Sequence, residues 1–385
     1  MEENRQQNQD PTGATGATGN QSTSGDRKAQ STQELMDELN RLGMKFAEVV
    51  QTAWESDERK RLEKDVKAGV VSLVNGLERG LRKMSETDVQ NLVQRRYEGL
   101  QLLRQRLGDE AMEYTADGGY EFIFRNETIG PDQVERVNAL LHPLFDKDVF
   151  RIDNSVIQKF QFNKNFIRYC ITNPMEGQLH SGKMMRRLMQ LCCAQNIEIK
   201  TGAELMWYEE QDENIVVSVK DATGKRTINC TAQQIIFCTN AFTGDFFPDL
   251  DITPGRGQVL VTKPIPNLPF RGSFHFDEGY FYFRNVGSRV LFGGGRNFDF
   301  DAEKTTETGL NEGIQQKLDY YLKNLILPRY TYETEMRWSG IMAFGKEKSP
   351  IVKKVNDRIY LAVRMNGIGV ALAAKVGEEV ASMIV

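Results

Sequence analysis

The stretch that decides the fold is Tyr360–Ala381, "YLAVRMNGIGVALAAKVGEEVA", near the end of a chain of 385 residues. Ile359–Val363 predicts a strand, and Asn366, Gly367 and Gly369 predict a turn that leads into a helix. At such a joint the free backbone N–H groups and the positive end of the helix dipole point at one place. The stretch therefore predicts an anion-binding joint.

The bulk composition limits the classes of partner. Hydrophobic residues make up 40% and charged residues 26% of the chain, which is ordinary for a globular protein. The formal net charge is -4, so electrostatics give no reason to expect nucleic acid or an anionic membrane. No apolar run approaches the roughly 20 residues that a transmembrane helix needs. The polar N-terminus shows no signal peptide, and we expect a cytoplasmic protein.

Cysteine and histidine usage predicts neither a disulfide framework nor a metal site. The five cysteines are odd in number and contain no C-x-x-C pair, and the three histidines lie far apart in sequence. We expect buried structural thiols in a reducing compartment. The cysteines are Cys170, Cys192, Cys193, Cys230 and Cys238, and the histidines are His142, His180 and His275.

Three N-terminal segments differ in composition. Residues 1–30 carry no large apolar residue after Met1 and predict a disordered tail. Residues 31–83 contain two runs with apolar residues every three or four positions, which predict a helical hairpin. We expect this hairpin to be an appendage, or a surface that binds a protein partner. Ser85–Leu107 predicts a further helix, with Ser85 as N-cap and Gly108 as its stop.

The region 204–338 is rich in β-structure. Alternating apolar residues and turn signals predict a mixed or antiparallel sheet, with one amphipathic helix over Gly309–Leu325 packed on it. Together with the C-terminal strand–turn–helix unit, this pattern indicates an α+β fold that includes part of an α/β layer.

Six motifs, taken in order and spacing, carry a family resemblance. They are "EGQLHSGKMMRRLMQLCCAQNIEIKTGAEL", "IIFCTNAF", "PGRGQVLVTKP", "GYFYFRNVGSRVLFGGGRN", "MRWSGIM" and "YLAVRMNGIGVALAAKVGEEVA". The chain from about residue 85 to 385 resembles the FAD-dependent superfamily of D-amino-acid oxidase, glycine oxidase and sarcosine oxidase. The resemblance implies a related domain over 84–385, with a substrate sheet at about 204–338 and a flavin-facing unit at 350–385.

The resemblance also implies an activity. It is the oxidation of a C–N bond of an amine or amino acid, in which hydride passes from the substrate carbon to flavin and water hydrolyses the resulting imine. The substrate is then a small molecule, and the cofactor performs the difficult step while the protein positions and polarises.

Twelve residues match positions near FAD in the family. Gly202 precedes a segment near the adenine, Thr239–Ala241 match one near the diphosphate and ribityl chain, and Arg256–Gln258 begin a strand near the ring. The last five would offer backbone N–H groups to the flavin pyrimidine edge. Ordinary packing joints and β-turns remain the alternative for each. The twelve are Gly202, Thr239, Asn240, Ala241, Arg256, Gly257, Gln258, Asn366, Gly367, Ile368, Gly369 and Val370.

A substrate carboxylate needs an arginine fork. Many relatives place this arginine just after a W-x-G motif, where this chain has Met342. By position the substitutes are Arg364, Arg337 and Arg284, and Arg364 is our first choice because it lies in the turn expected nearest the flavin. A structural or surface role remains open for each.

Two tyrosines match family positions that face the substrate. Tyr280 and Tyr282 alternate with Phe281 and Phe283, so one pair points to one face of the sheet and the other pair to the opposite face. Packing of a sheet face is the competing interpretation.

The G-x-G-x-x-G fingerprint, which grips the ADP half of FAD in this family, occurs nowhere in the chain. We therefore expect weak or absent FAD binding by this chain alone, because the pyrophosphate loses its cradle of backbone N–H groups. The alternative function is that of a non-catalytic, truncated or fused remnant of such an enzyme that acts in protein interaction.

Overall fold

The computed structural model describes residues 74–81 and 84–384. The tail predicted for 1–30 and most of the hairpin predicted for 31–83 lie outside these residues. The helices are α1 (Val74–Leu81), α2 (Glu86–Leu107), α3 (Pro131–Phe145), α4 (Ser155–Lys159), α5 (Ser181–Ala194), α6 (Glu312–Tyr321) and α7 (Gly369–Ala381). Short 3-10 turns cover Asn240–Asp245 and Arg296–Phe298, and a π-turn, Leu322–Ile326, extends α6.

The strands fall into three sheets. They are β1 (Gly119–Phe124), β2 (Arg151–Ile152), β3 (Ile167–Asn173), β4 (Glu204–Glu210), β5 (Ile215–Lys220), β6 (Thr227–Ala232), β7 (Ile235–Phe237), β8 (Thr253–Thr262), β9 (Ser273–Phe276), β10 (Phe281–Val286), β11 (Arg289–Gly294), β12 (Thr334–Phe344), β13 (Ile351–Lys354) and β14 (Ile359–Val363). Eight of them form the main sheet in the order β12-β8-β11-β10-β9-β1-β3-β2, and the others form β13-β14-β7 and β4-β5-β6.

The main sheet agrees with the predicted substrate sheet in its type and corrects its extent. It is mixed, one of the two arrangements predicted, because β1 pairs with β9 in parallel while the other paired neighbours run antiparallel. It also reaches far outside 204–338, since β1, β2 and β3 come from before residue 174. Within 204–338, β4 to β6 and β7 belong to the two smaller sheets. The alternation of apolar and polar residues predicts where a strand lies. Which strands pair with one another depends on the faces that the folded chain buries.

One face of the main sheet is an aromatic core. On β9 and β10, Phe274 and Phe283 stack with ring centroids 4.6 Å apart, and both are almost fully buried. Helix α6 and its π-turn cover this face with Leu318, Leu322 and Leu325. The predicted helix over Gly309–Leu325 is therefore present, shortened at its start and loosened into a π-turn at its end. Offset stacked rings add to the gain from area burial.

The opposite face is more polar, and it faces the C-terminal unit. The parallel pairing of β14 with β7 buries all five residues of β14, as expected for a strand covered on both faces.

Helix α2 starts at the predicted cap, where Ser85 Oγ accepts from the Asp88 N–H across 3.1 Å. Helix α2 then crosses α7 closely, because an added Cβ on Gly99 would collide with the carbonyl oxygen of Ala371.

The cysteines correct the expectation of buried thiols. Cys170 is buried in β3, whereas Cys193, Cys230 and Cys238 are exposed and Cys192 is intermediate. All five are free. Cys230 lies on β6, a strand with five of its six residues exposed, so the sequence alternation there did not report burial.

Candidate active site

A cavity of about 450 Å³ lies between the polar face of the main sheet and the turn that starts α7. Its floor includes Ser273, His275 and Arg284 of β9 and β10. Gly367 and Ile368 of the turn form one wall. Helices α2 and α3 close other sides of the cavity. The turn that the sequence singled out therefore lies beside the polar residues Ser273, His275 and Arg284 of the sheet.

The backbone of this turn is held in an unusual shape. Arg364, Asn366 and Gly367 all have left-handed φ angles, of +63°, +51° and +78°. In the described part of the chain, no hydrogen bond involves the N–H groups of Gly367, Gly369 or Val370. Helix α7 also begins at Ile368 without a side-chain cap. The helix thus presents free donors and its positive dipole end beside the cavity.

The positive charge of Arg284 has no anionic partner among the described residues. Arg284 lies on the cavity face of β10, and within residues 74–81 and 84–384 its guanidinium makes no hydrogen bond or ion pair. Burial lowers its pKa from the usual value, and no carboxylate counteracts this shift. An unpaired charge away from water is costly, which favours an anionic ligand at this position.

A second arginine enters the cavity from helix α2. Arg96 is only 8% exposed, and its Nε and Nη1 have no partner among the described residues. Burial lowers its pKa to about 9, partly opposed by the charge of Glu176. Arg96 therefore stays a cation at neutral pH.

Two titratable groups line the same cavity. Burial lowers the pKa of His275 to about 4, so this imidazole is neutral at physiological pH, and its Nδ1 has no partner in the part of the chain described. Burial also raises the pKa of Glu176 to about 7, against the opposing effects of Asn173 and Arg96. Asn173 Nδ2 donates to Glu176 Oε1 across 3.3 Å. Glu176 can thus exchange a proton near neutral pH.

The rest of the cavity lining is mainly apolar. The helix side chains come from α2 and α3, and others come from the segment after β3 and from the start of α7. They include Val93, Leu100, Leu141, Phe145, Met175 and Leu179.

Beside the cavity, the same sheet face continues as a floor of glycines. Gly257, Gly293 and Gly340 lie on the face that carries Tyr282. An added Cβ on Gly340 would meet nothing within 4 Å, so space is open above it. Met342 lies at the end of this floor, with its Sδ 3.8 Å from a Cβ placed on Gly367. A Cβ on Gly257 would instead collide with Met342 Cε, and one on Gly293 with Val259 Cγ1, so the sheet face is open at Gly340 and covered by side chains at the other two glycines.

The structure does not bring Arg364 to the cavity. Its Nη1 donates to Asp251 Oδ2 (2.9 Å), and its Nε and Nη2 donate to the Ser349 carbonyl (3.1 and 2.9 Å). The residue is 3% exposed, and Nη2 also reaches Glu347. Its guanidinium therefore braces the turn and has no donor left for a ligand.

Three other predicted residues point to the opposite face of the sheet. Arg337 bonds to Gln315 and Asp319 of α6, with its Nη2 2.7 Å from Asp319 Oδ1. Arg256 and Gln258 both donate to the fully buried carboxylate of Glu303. Strand alternation leaves Gly257, between them, as the residue of this trio on the cavity side.

The predicted diphosphate segment lies beside the turn. Asn240, which follows β7, has a φ of +47°, and its Oδ1 accepts from the Met365 N–H across 3.3 Å. Thr239 Oγ1 and Thr243 Oγ1 are 2.9 Å apart, and Ala241 is buried. Gly202 lies in the turn before β4, against Ala222. Thr239–Ala241 are thus joined to the C-terminal turn, whereas Gly202 belongs to the β4-β5-β6 side.

The alternation predicted around the tyrosines is present. Phe281 and Phe283 are in the aromatic core. Tyr282 lies on the other face of the sheet, where it is paired in register with His275 of β9. Burial raises the pKa of Tyr282 to about 12, so the phenol stays protonated. Tyr280, just before β10, packs against the edge of Phe300 with ring centroids 5.8 Å apart. Only Tyr282 lies on the same face as Arg284.

Sequence reasoning missed Arg96, Glu176 and His275. One signal was available for Arg96, because it occupies the same helical stripe as the buried residues Val89, Leu92 and Leu103. A charged residue within an apolar stripe marks a buried charge. Glu176 and His275 had no such signal, since each is buried by segments far away in sequence.

Among the described residues, no group of three or more His, Cys, Asp or Glu residues is arranged to hold a metal ion. No helix within 74–81 and 84–384 combines the length and apolar character needed to cross a membrane.

The family model DAO, FAD dependent oxidoreductase, matches residues 6–383 and so begins well before the segment that carried the sequence resemblance. No curated protein sequence matches the chain.

Solved structures share the fold. L-proline dehydrogenase from P. horikoshii superposes with a TM-score of 0.62 at 15% identity, over 76% of this chain and 78% of its own. Glycine oxidase from Geobacillus kaustophilus gives 0.60 at 14%, over 73% and 74%. L-amino acid deaminase from Proteus vulgaris gives 0.57 at 12%, over 78% and 82%. At such identities the likeness establishes the fold.

Proposed function

Because the chain belongs to the DAO family of FAD-dependent oxidoreductases, we propose that it oxidises the C–N bond of a small amine or amino acid in the cavity beside the α7 turn. The observation that carries the proposal is the meeting of free N–H donors at the start of α7 with an unpaired Arg284 on the facing sheet. The structures with similar folds include enzymes named for glycine, proline and amino acid substrates.

The residues present fit the ring end of FAD. The sheet face is open above Gly340, which leaves room for a flat group there. The free N–H groups of Gly367 and Gly369 would hold its polar edge. Bound there, FAD would supply the hydride acceptor for the substrate carbon.

The chain's own groups would prepare the substrate. Arg284 and Arg96 would bind and orient an anionic part of it, since neither has an adequate partner of its own. A substrate amine has to lose its extra proton before hydride leaves the neighbouring carbon, and Glu176, with its pKa of about 7, would take up that proton. His275 would hydrogen-bond through Nδ1 without adding charge.

The ADP half of FAD would be bound less firmly than the ring end. The chain has no G-x-G-x-x-G fingerprint, which would place backbone N–H groups around the pyrophosphate. We expect a dissociation constant for FAD of about 1 μM or weaker. The free cysteines suit a reducing compartment, and a cytoplasmic location is part of this proposal.

Purified protein tests the function. With added FAD, we expect amines or amino acids to bleach the flavin under anaerobic conditions, and deuterium at the substrate carbon to slow the bleaching. A Glu176→Gln variant should lose the low-pH limb that reports a group with a pKa near 7. Protein that neither binds FAD nor bleaches it with any amine would support the non-catalytic alternative instead.

A further inference from the structure

The electrostatics of the cavity are one-sided. Among the described residues, two arginines line it, Arg284 from the sheet and Arg96 from helix α2, and Glu176 is the single acidic residue in the lining. Glu176 acts on Arg96, whereas no acid in the part of the chain described acts on Arg284. With a pKa of about 7, Glu176 is protonated in a large fraction of molecules at neutral pH. The cavity therefore carries a net positive charge that its own residues do not neutralise.

Two guanidinium groups line this one cavity. Among the described residues Arg96 is 8% exposed with Nε and Nη1 unpartnered, and Arg284 lines the same cavity from the sheet. A guanidinium presents several N–H donors in one plane, which match the two oxygens of a carboxylate. Met342, which lies near Gly367 of the turn, supplies no donor.

The remaining walls of the cavity are mainly apolar. Helices α2 and α3 contribute Val93, Leu100, Leu141 and Phe145. A cavity of about 450 Å³ with this lining leaves much apolar surface in contact with water when only a very small ligand is bound.

We infer that the cavity selects molecules that join a carboxylate to a bulky apolar group, with Arg284 and Arg96 on the carboxylate and the α2 and α3 side chains around the apolar group. This inference rests on the proposed function and names its substrate class, which is α-amino acids with large apolar side chains. Glycine would leave the apolar walls unfilled, and an amine without a carboxylate would leave Arg284 unpaired.

Binding of a substrate mimic that cannot be oxidised tests the inference without turnover. Phenylacetate, acetate and inorganic phosphate would be titrated calorimetrically into the full chain in the presence of FAD. We expect phenylacetate to bind about 100-fold tighter than acetate, because the phenyl ring leaves water. Arg284→Met should weaken the binding of phenylacetate by about 10- to 100-fold. Arg284→Lys should weaken it by less, because lysine keeps the positive charge but lacks the planar guanidinium fork.

Arg337→Met is the matched control, because Arg337 is bonded to α6 on the other face. It should leave phenylacetate binding unchanged. Equal affinity for acetate and phenylacetate would overturn the apolar part of the inference. Phosphate competing as well as phenylacetate, or an unaffected Arg284→Met variant, would overturn the carboxylate fork.

Turnover separates this inference from the function on which it rests. Phenylalanine and leucine in both configurations, glycine, sarcosine and phenethylamine would each be tested for flavin bleaching. Preference for phenylalanine or leucine supports the inference. Turnover of glycine or phenethylamine at equal efficiency keeps the function and overturns the substrate class. If no compound bleaches bound FAD, the function itself fails.

Discussion

The Nη1 atom of Arg364 donates a hydrogen bond to Oδ2 of Asp251 across 2.9 Å, and this bond ties the C-terminal turn to the chain that leads into β8. Arg364 has a left-handed φ of +63° and is 3% exposed. Its other donors hold the carbonyl of Ser349. The residue expected to bind substrate is thus a brace that fixes the turn in place.

Arg364→Met should therefore act on stability first. We expect the free energy of unfolding to fall by about 2–4 kcal/mol, because the partly buried carbonyl groups of Ser349 and Asp251 lose charged donors. Arg337→Met, whose ion pair is partly exposed, should cost about 1 kcal/mol or less. Urea denaturation of both variants measures the difference. Equal losses, or a silent Arg364→Met, would show that the brace contributes nothing.

Gly367→Ala should destabilise the turn, since its φ of +78° is strained for any side chain with a Cβ. The expected loss is about 1–2 kcal/mol, with weaker FAD binding alongside it. Gly377→Ala is the control inside helix α7, where a Cβ meets nothing within 4 Å. That change should stabilise by about 0.5–1 kcal/mol through helix propensity. Thermal unfolding that shifts in the same direction for both variants would contradict this account.

Gly99→Ala should disturb the crossing of α2 with α7. Its Cβ would collide with the carbonyl oxygen of Ala371, which is backbone and cannot rotate away. We expect a loss of about 1–3 kcal/mol. The change would also displace the wall that carries Arg96, so phenylacetate binding should weaken as well. Calorimetric titration and thermal unfolding of one preparation test both effects, and unchanged unfolding would mean that the helices separate at no cost.

Glu121 should make stability depend on pH. Its carboxylate accepts the Val74 N–H (2.9 Å) and Asn75 N–H at the start of α1, and burial raises its pKa to about 8, aided by Glu127 and Glu176. The unfolded value is 4.5. The folded state therefore holds a proton that the unfolded state releases, so stability falls as pH rises from about 4.5 to 8 and levels off above it.

Glu121→Gln keeps an acceptor oxygen and removes the titration. The variant should match the wild type near pH 4.5 and exceed it increasingly towards pH 8, by up to a few kcal/mol. Glu333→Gln is a control on an exposed carboxylate, whose pKa is lowered by Lys263. Its difference from wild type should not grow over this range. A Glu121→Gln variant whose disadvantage increases with pH would reverse the sign argued here.

Local features of the fold were predictable because their causes are local. Ser85 caps α2 as its sequence context indicates, and Phe281 and Phe283 lie on the face opposite Tyr282 because strand alternation has a period of two. The strand Ile359–Val363 and its glycine turn follow from composition alone. The limits of the main sheet were not predictable, since they depend on the parallel pairing of β1 with β9, about 150 residues apart in the chain.

The sequence by itself determined the strand–turn–helix unit, the aromatic alternation of β10 and the motifs that mark the family. Tertiary structure alone decided which arginine is free. Arg364 and Arg337 are bonded to Asp251 and Asp319, and within residues 74–81 and 84–384 Arg284 meets no acid. A side chain's position in sequence fixes the face on which it lies. Its partners come from distant segments, and a buried guanidinium is available to a ligand only when none of them supplies a carboxylate.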